Sequence, residues 1–261
     1  MRELNDKTVV VTGGSAGLGK AIGLEAASRG ATVIFLARRK PQLALAQAQA
    51  SALSGKPAYS YVLDVADPVM IQAVVNQLLA EHTPDVLVNA AGFGYFANAL
   101  DTPMAVAEKM LRVNVLGVMY LTQLLGRPMV QAGRGQIINI ASMAGKMATP
   151  KSAIYSASKF AVIGYSNALR LELKPLGVKV MTVNPGPIDT DFFAAAGALD
   201  YLKSVEKLVL DPQKLAKRIV NAFGKPVREL NAPKLMALAA AGYTLAPQLG
   251  DWLAGGIFNR K

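Results

Sequence analysis

Residues 8–21 read TVVVTGGSAGLGKA: a β-branched run, a glycine-rich turn, then a helix-forming stretch. The run favours a buried strand, because stiff branched side chains pack well on a pleated surface. Glycines follow at 13, 17 and 19. At a strand-to-helix turn, absent side chains let a pyrophosphate approach the backbone and the positive end of the next helix. The turn follows the first strand and opens a helix, the context in which such glycines hold a nucleotide rather than only bend the chain. The Gly-x-x-x-Gly-x-Gly spacing differs from the commoner Gly-x-Gly-x-x-Gly.

Outward from that turn, short apolar runs alternate with helical stretches: ATVIFLA (31–37), AYSYVLDV (58–65), DVLVNAAG (85–92), GQIINIAS (135–142) and VKVMTVNPG (178–186). Runs that are apolar on both faces read as buried parallel strands. Gly30 ends the first helix and Pro41 opens the second. Asp67–Pro68 and Asp211–Pro212 each place an N-cap before a proline at the first helical position. VREL (227–230) adds an edge strand. The pattern predicts an α/β fold: a doubly wound parallel sheet of Rossmann type with helices on both faces. One domain is expected over 1–231, with an apolar helical tail over 232–261 packed on it or on a partner.

The 261 residues are 52% hydrophobic and 17% charged, enough to bury a sizeable core. Without cysteine, disulfides and thiolate catalysis are excluded. The single histidine, His82, cannot build a histidine-rich metal site, and no metal is expected; it reads as a helix-end residue. No Gly-x-Ser-x-Gly elbow supports a serine nucleophile. The net charge of +11 comes from lysines and arginines scattered along the chain. That argues against a nucleic-acid stripe and for general attraction to anions, phosphorylated cofactors and acidic carriers among them. No apolar run reaches the length of about 18 residues that a membrane span needs. The opening MRELNDKTVVV carries no signal-peptide pattern, so a cytoplasmic location is expected, with membrane association open through the tail.

AIYSASKF (153–160) sets Tyr155 one helical turn before Lys159, so phenol and ammonium converge on one face. Alone, that pair is weak. It stands in order with TGGSAGLG (12–19), NAAG (89–92), Asn114 in RVNVLG, Ser142 ending INIAS, and NPGPIDT (184–190). This ordered set resembles the short-chain dehydrogenase/reductase family over residues 8–190. The resemblance implies a catalytic set of Asn114, Ser142, Tyr155 and Lys159. It implies cofactor contacts from Gly13, Ser15, Gly17, Leu18 and Gly19; from Asp64 and Val65; from Asn89, Ala90 and Gly92; from Tyr155 and Lys159; and from Pro185, Gly186, Ile188 and Thr190. Singly, Tyr155 reads as a packing tyrosine, Ser142 as a helix N-cap and Asn114 as a surface residue. Jointly and in order, the functional reading prevails. A homodimer or homotetramer is implied as well.

The end of the second strand selects the cofactor, an acid holding a free ribose 2′-hydroxyl and arginine accommodating a 2′-phosphate. Here FLARRK (35–40) offers Ala37, then Arg38 and Arg39, which favours NADP(H); a solvated basic turn is the bland alternative. Asp64 reads as an adenine contact or as a strand-end cap. For carbonyl reduction the cofactor supplies hydride and the protein the acid. On the resemblance Tyr155 is expected to be that acid, with the Lys159 ammonium favouring its phenolate and, as the resemblance implies, holding the nicotinamide ribose. Ser142 would bind the substrate oxygen, and Asn114 would help a water join Lys159 to solvent.

Ligands in such sheets sit beyond the strands' carboxyl ends. Residues 92–100, 143–150 and 191–207 should therefore form the substrate wall, made apolar by Phe93, Tyr95, Phe96, Met143, Phe192 and Phe193. The expected substrate is a small-molecule carbonyl or alcohol, a lipophilic ketone or aldehyde. A 3-oxoacyl-carrier-protein reductase and a non-catalytic NADP-binding regulator are the alternatives. In the tail, Leu235, Leu238, Leu245, Leu249, Trp252, Leu253, Ile257 and Phe258 are expected to cover something. The domain itself or a partner subunit, a membrane foot carrying Arg260 and Lys261, or a lid over the site would each satisfy them.

Overall fold

The run 8–12 forms the inner strand β1 (Thr8–Thr12) in a computed structural model of the chain, which describes residues 3–198, 205–248, 250 and 251. The other strands are β2 (Thr32–Ala37), β3 (Tyr59–Val62), β4 (Val86–Asn89), β5 (Gly135–Ile140), β6 (Val178–Pro185) and β7 (Glu229–Ala232). They pair in the order β3-β2-β1-β4-β5-β6-β7, every pair parallel. The order reverses between β1 and β4, and a crevice opens there beyond the carboxyl ends. The edge strand begins two residues later than VREL.

Period-two alternation splits the apolar strands between two cores. Val9, Val11, Val33 and Phe35 face α1 (Gly17–Ser28), α2 (Lys40–Ser54) and the later helix Pro212–Val220. Val10, Ile34, Leu36 and Leu87 face α3 (Pro68–Glu81) and helix 117–131. Both faces are thus covered, as a parallel sheet requires. Gly30, at φ +92°, follows the end of α1, and Pro41 lies in the first turn of α2. Asp67 caps α3 by accepting from the N–H groups of Val69 and Met70. His82 caps the other end of α3, its ring 4.3 Å from that of Tyr59.

Beyond β4, α4 (Met104–Leu111) continues through one π-helical turn, Arg112–Leu116, into α5 (Gly117–Gln131). Helix α6 (Ala153–Leu173) carries Tyr155 and Lys159. A four-residue helix α7 (Phe192–Ala195) follows β6; α8 (Pro212–Val220), capped by Asp211, precedes β7; and α9 (Lys234–Leu245) follows it.

The boundary expected after residue 231 falls within β7, where Ala232 pairs with Pro185. On α9, Met236 and Ala240 are buried against the domain, whereas Leu235, Leu238 and Leu245 stand exposed. Leu249, Trp252, Leu253, Ile257, Phe258, Arg260 and Lys261 lie outside the described residues, as do 199–204 of the expected substrate wall. Among the described residues, no helix is long and apolar enough to cross a membrane.

Candidate active site

Thr12, the last residue of β1, is buried, and its hydroxyl accepts the N–H groups of Ala90 and Ala91, both at 3.0 Å. That clasp holds the exit of β4 against the glycine turn. Gly13 adopts φ +68°, open to glycine at little cost. A Cβ on Gly19 would lie 2.6 Å from the Gly13 carbonyl oxygen, so no side chain fits at that position. Helix α1 starts with Ala16 as N-cap and no side-chain bond, unlike α3 and α8. Its first N–H groups are left for an anion. A pyrophosphate fits this cradle.

Two arginines flank the cradle. Arg39 donates to the Ser15 hydroxyl at 3.2 Å, and Arg38 approaches Asp64 at 3.9 Å. Asp64 also accepts from the Ala66 N–H at 3.0 Å, so it acts as a cap while standing on the cavity wall.

At the far end, the first two turns of α6 bring Tyr155 and Lys159 to one wall. The Lys159 ammonium lies 5.7 Å from the centre of the Tyr155 ring and donates to the Ile140 carbonyl at 3.0 Å. Burial pushes it down to about 8, because desolvation disfavours the charged form. Ser142 caps the turn Met143–Gly145: its hydroxyl accepts from the Ala144 N–H at 3.1 Å and donates to the Pro185 carbonyl over a long 3.4 Å.

Asn114 sits in the π turn. Its amide oxygen accepts from the Phe93 N–H and its amide nitrogen donates to the Phe93 carbonyl, both at 3.0 Å, with a further bond to Ser158. It holds the chain after Gly92 in place; a Cβ on Gly92 would meet Asn114 at 3.1 Å and Lys159 at 3.6 Å.

One cavity of about 910 Å³ runs from the cradle to Tyr155. Gly13, Ser15, Gly17, Leu18, Gly19, Arg38, Arg39, Asp64, Val65, Ala90, Gly92, Ser142, Tyr155, Lys159, Pro185, Gly186, Ile188 and Thr190 all line it. Asn114 stands behind that wall. Asn89 does too: strand alternation turns its side chain into the core, where it donates to Thr122 at 3.2 Å and to Asn139 at 2.9 Å.

The cavity is apolar around Tyr155. Phe96, Phe192 and Phe193 pack against one another, and the Tyr155 ring meets Phe96 at 5.5 Å and Phe192 at 5.8 Å. Met147, within the expected wall stretch 143–150, lines the cavity, and so do Lys109 and Met236, which the sequence did not single out. Thr12 at least lay within a motif. Met236 carried no signal, because its place depends on how α9 returns over the sheet.

The family profile described as short chain dehydrogenase matches residues 7–199. Among curated proteins, the chain is similar to a probable oxidoreductase, EphD, of Mycobacterium tuberculosis, 34% identical over 251 residues. That match takes in 89% of this chain, which spans only 42% of the relative's length. It is 32% identical to the ketoacyl reductase HetN of a Nostoc species, over all of this chain and 94% of that one. A short-chain dehydrogenase from Sphingobium yanoikuyae, solved in complex with NADPH, superposes with a TM-score of 0.80 at 26% identity, covering 92% of this chain and 95% of that one.

Proposed function

Since the chain belongs to the short chain dehydrogenase family, we propose that this oxidoreductase is an NADPH-dependent reductase of a lipophilic ketone or aldehyde. The observation that carries the reading is Ser142, Tyr155 and Lys159 on one wall of the cavity that begins at the uncapped start of α1.

The glycine cradle and the first N–H groups of α1 would hold the pyrophosphate, Arg38 and Arg39 a 2′-phosphate, and Lys159 the nicotinamide ribose. NADPH, when bound, supplies the hydride that reduces the carbonyl carbon. Tyr155 donates its hydroxyl proton to the carbonyl oxygen. The Lys159 ammonium stabilises the phenolate that remains. Ser142 exchanges its long bond to Pro185 for one to the substrate oxygen. Asn114 keeps the Gly92–Phe93 backbone against this group. The aromatic cluster excludes water and selects apolar substrates.

NADPH oxidation by the purified protein with a panel of ketones and aldehydes, run beside NADH, tests this directly. Tyr155→Phe should keep cofactor affinity and lose at least about a hundredfold in turnover, the scale of acid–base catalysis. Near-normal turnover in that variant sinks the mechanism. Similarity to a protein named ketoacyl reductase over nearly its whole length favours one second reading, reduction of 3-oxoacyl thioesters on an acidic carrier. Including such a thioester in the panel separates the two.

A further inference from the structure

The five residues after Ser142 connect four parts of the site. Ser142 begins the turn and is bound to it through the Ala144 N–H. Gly145 rests directly on α6: a Cβ there would fall 2.7 Å from the carbonyl carbon and oxygen of Lys159. Met143 and Met147 face the cavity and pack on Met236 of α9. Between them Lys146 points the other way, to Glu229 of the edge strand β7, with a 2.7 Å ion pair across 83 positions of sequence. The pair is largely enclosed, at 24% and 12% side-chain exposure. Arg228 and Asn231 also bond Glu229.

β7 leads directly into α9, so Glu229 and Met236 ride on one continuous segment. The side of the wall opposite the aromatic cluster therefore has two parts, 143–147 and 229–240, meeting through methionines on the cavity side and an ion pair behind. Methionine contacts are soft and slide, since the side chain is unbranched and flexible. A short charge-assisted bond with little exposure has a defined length and direction. Beside the bond of Tyr243 on α9 to the Ala148 backbone, it is a contact able to fix one part of the wall against the other.

We propose that Lys146 and Glu229 are a positioning pair: their bond holds the 142–147 turn so that Ser142 meets the substrate oxygen beside Tyr155. This rests on the carbonyl-reductase reading above.

The test uses the full chain and a ketone that the unmodified protein reduces, with turnover expressed per NADPH-binding site so that unfolded protein does not count. Lys146→Met and Glu229→Gln should each lower kcat at least about tenfold, because small misplacements of a reacting group are costly, while NADPH affinity stays near its original value. The double variant should be no slower than the worse single one, the signature of two residues acting through one contact. Lys146→Arg, which can still donate to Glu229, should recover most of the loss. Unchanged kcat per site in Lys146→Met, or losses that multiply in the double variant, would overturn the proposal. If those variants fail to fold, Glu229→Asp decides: shortening the reach should still lower kcat per site, and unchanged kcat overturns the role. A wild-type chain that binds NADPH but reduces no carbonyl overturns the functional reading and the pair's role with it.

Discussion

Lys159 bears a cost in the folded chain. Its ammonium is buried, and its folded pKa lies at about 8 against 10.5 for a free lysine. At about 1.4 kcal/mol per pH unit, that difference is on the order of 3 kcal/mol. Below pH 8 both folded and unfolded chains carry the proton, and the cost is fully present. Between about 8 and 10.5 the unfolded chain binds more protons, so stability rises with pH across that window. Lys159→Met should therefore be more stable than the parent at pH 7, with an advantage that shrinks as pH approaches 10.5. Thermal unfolding of the apo proteins at pH 7, 9 and 10.5 checks this; a constant difference contradicts it. The same variant should bind NADPH more weakly, since the ribose loses its ammonium. At the other end, Arg38→Asp should weaken NADPH about 10- to 150-fold, the worth of a charge-assisted bond to phosphate, and gain little for NADH. Equal preference for the two cofactors in the unmodified protein would contradict the assignment of both arginines. Tyr155 and Lys159 were legible because helical spacing fixes their common face. Asn89 was less so: motif order locates the residue, but strand alternation decides where its side chain points.

Elements were legible where local chemistry acts alone. β-branched runs, Asp67 and Asp211 as caps, and Gly30 after α1 depend on neighbours a few residues away. The turn 142–147 does not. Its sequence offers Ser142 as a cap, and the cap is formed, yet nothing local shows that Lys146 reaches Glu229 or that Gly145 lies against Lys159. The π turn around Asn114 was equally hidden, because it arises where α4 must turn Asn114 toward Phe93. Gly145→Ala tests the close fit between turn and helix. The added methyl would meet backbone rather than a movable side chain, so overpacking should cost about 1–3 kcal/mol. Urea unfolding would read that loss, and turnover should fall with it because Ser142 and Lys159 flank the contact. An alanine variant with normal stability and turnover would show that the turn has slack.

Across the whole molecule, a sheet order of 3-2-1-4-5-6-7 gathers motifs from residues 12 to 190 at one crevice, which explains why ordered motifs alone located the cavity. The tail followed different physics. Its apolar residues announced burial without a destination: Leu235, Leu238 and Leu245, singled out for it, stand exposed on α9, and Met236 and Ala240 are buried instead. Met236 fits beside Gly186, where a Cβ would stand 2.6 Å from its sulfur, and with Ala240 it covers Met143 and Met147. A chain ending at Asn231 loses Ala232 from β7 and uncovers two methionines beside Ser142, whereas one ending at Ala246 keeps α9 whole. Burying one large apolar side chain is worth about 1.5–3 kcal/mol, so the shorter chain should be less stable than the longer by on the order of 3–6 kcal/mol. Its glycine cradle, built from β1, β4 and α1, should still bind NADPH, while carbonyl turnover falls with the missing wall. Urea midpoints, NADPH titration and turnover on the two truncated chains make the comparison. If the chain ending at Asn231 matched the longer one in stability and turnover, α9 would have no part in the substrate wall.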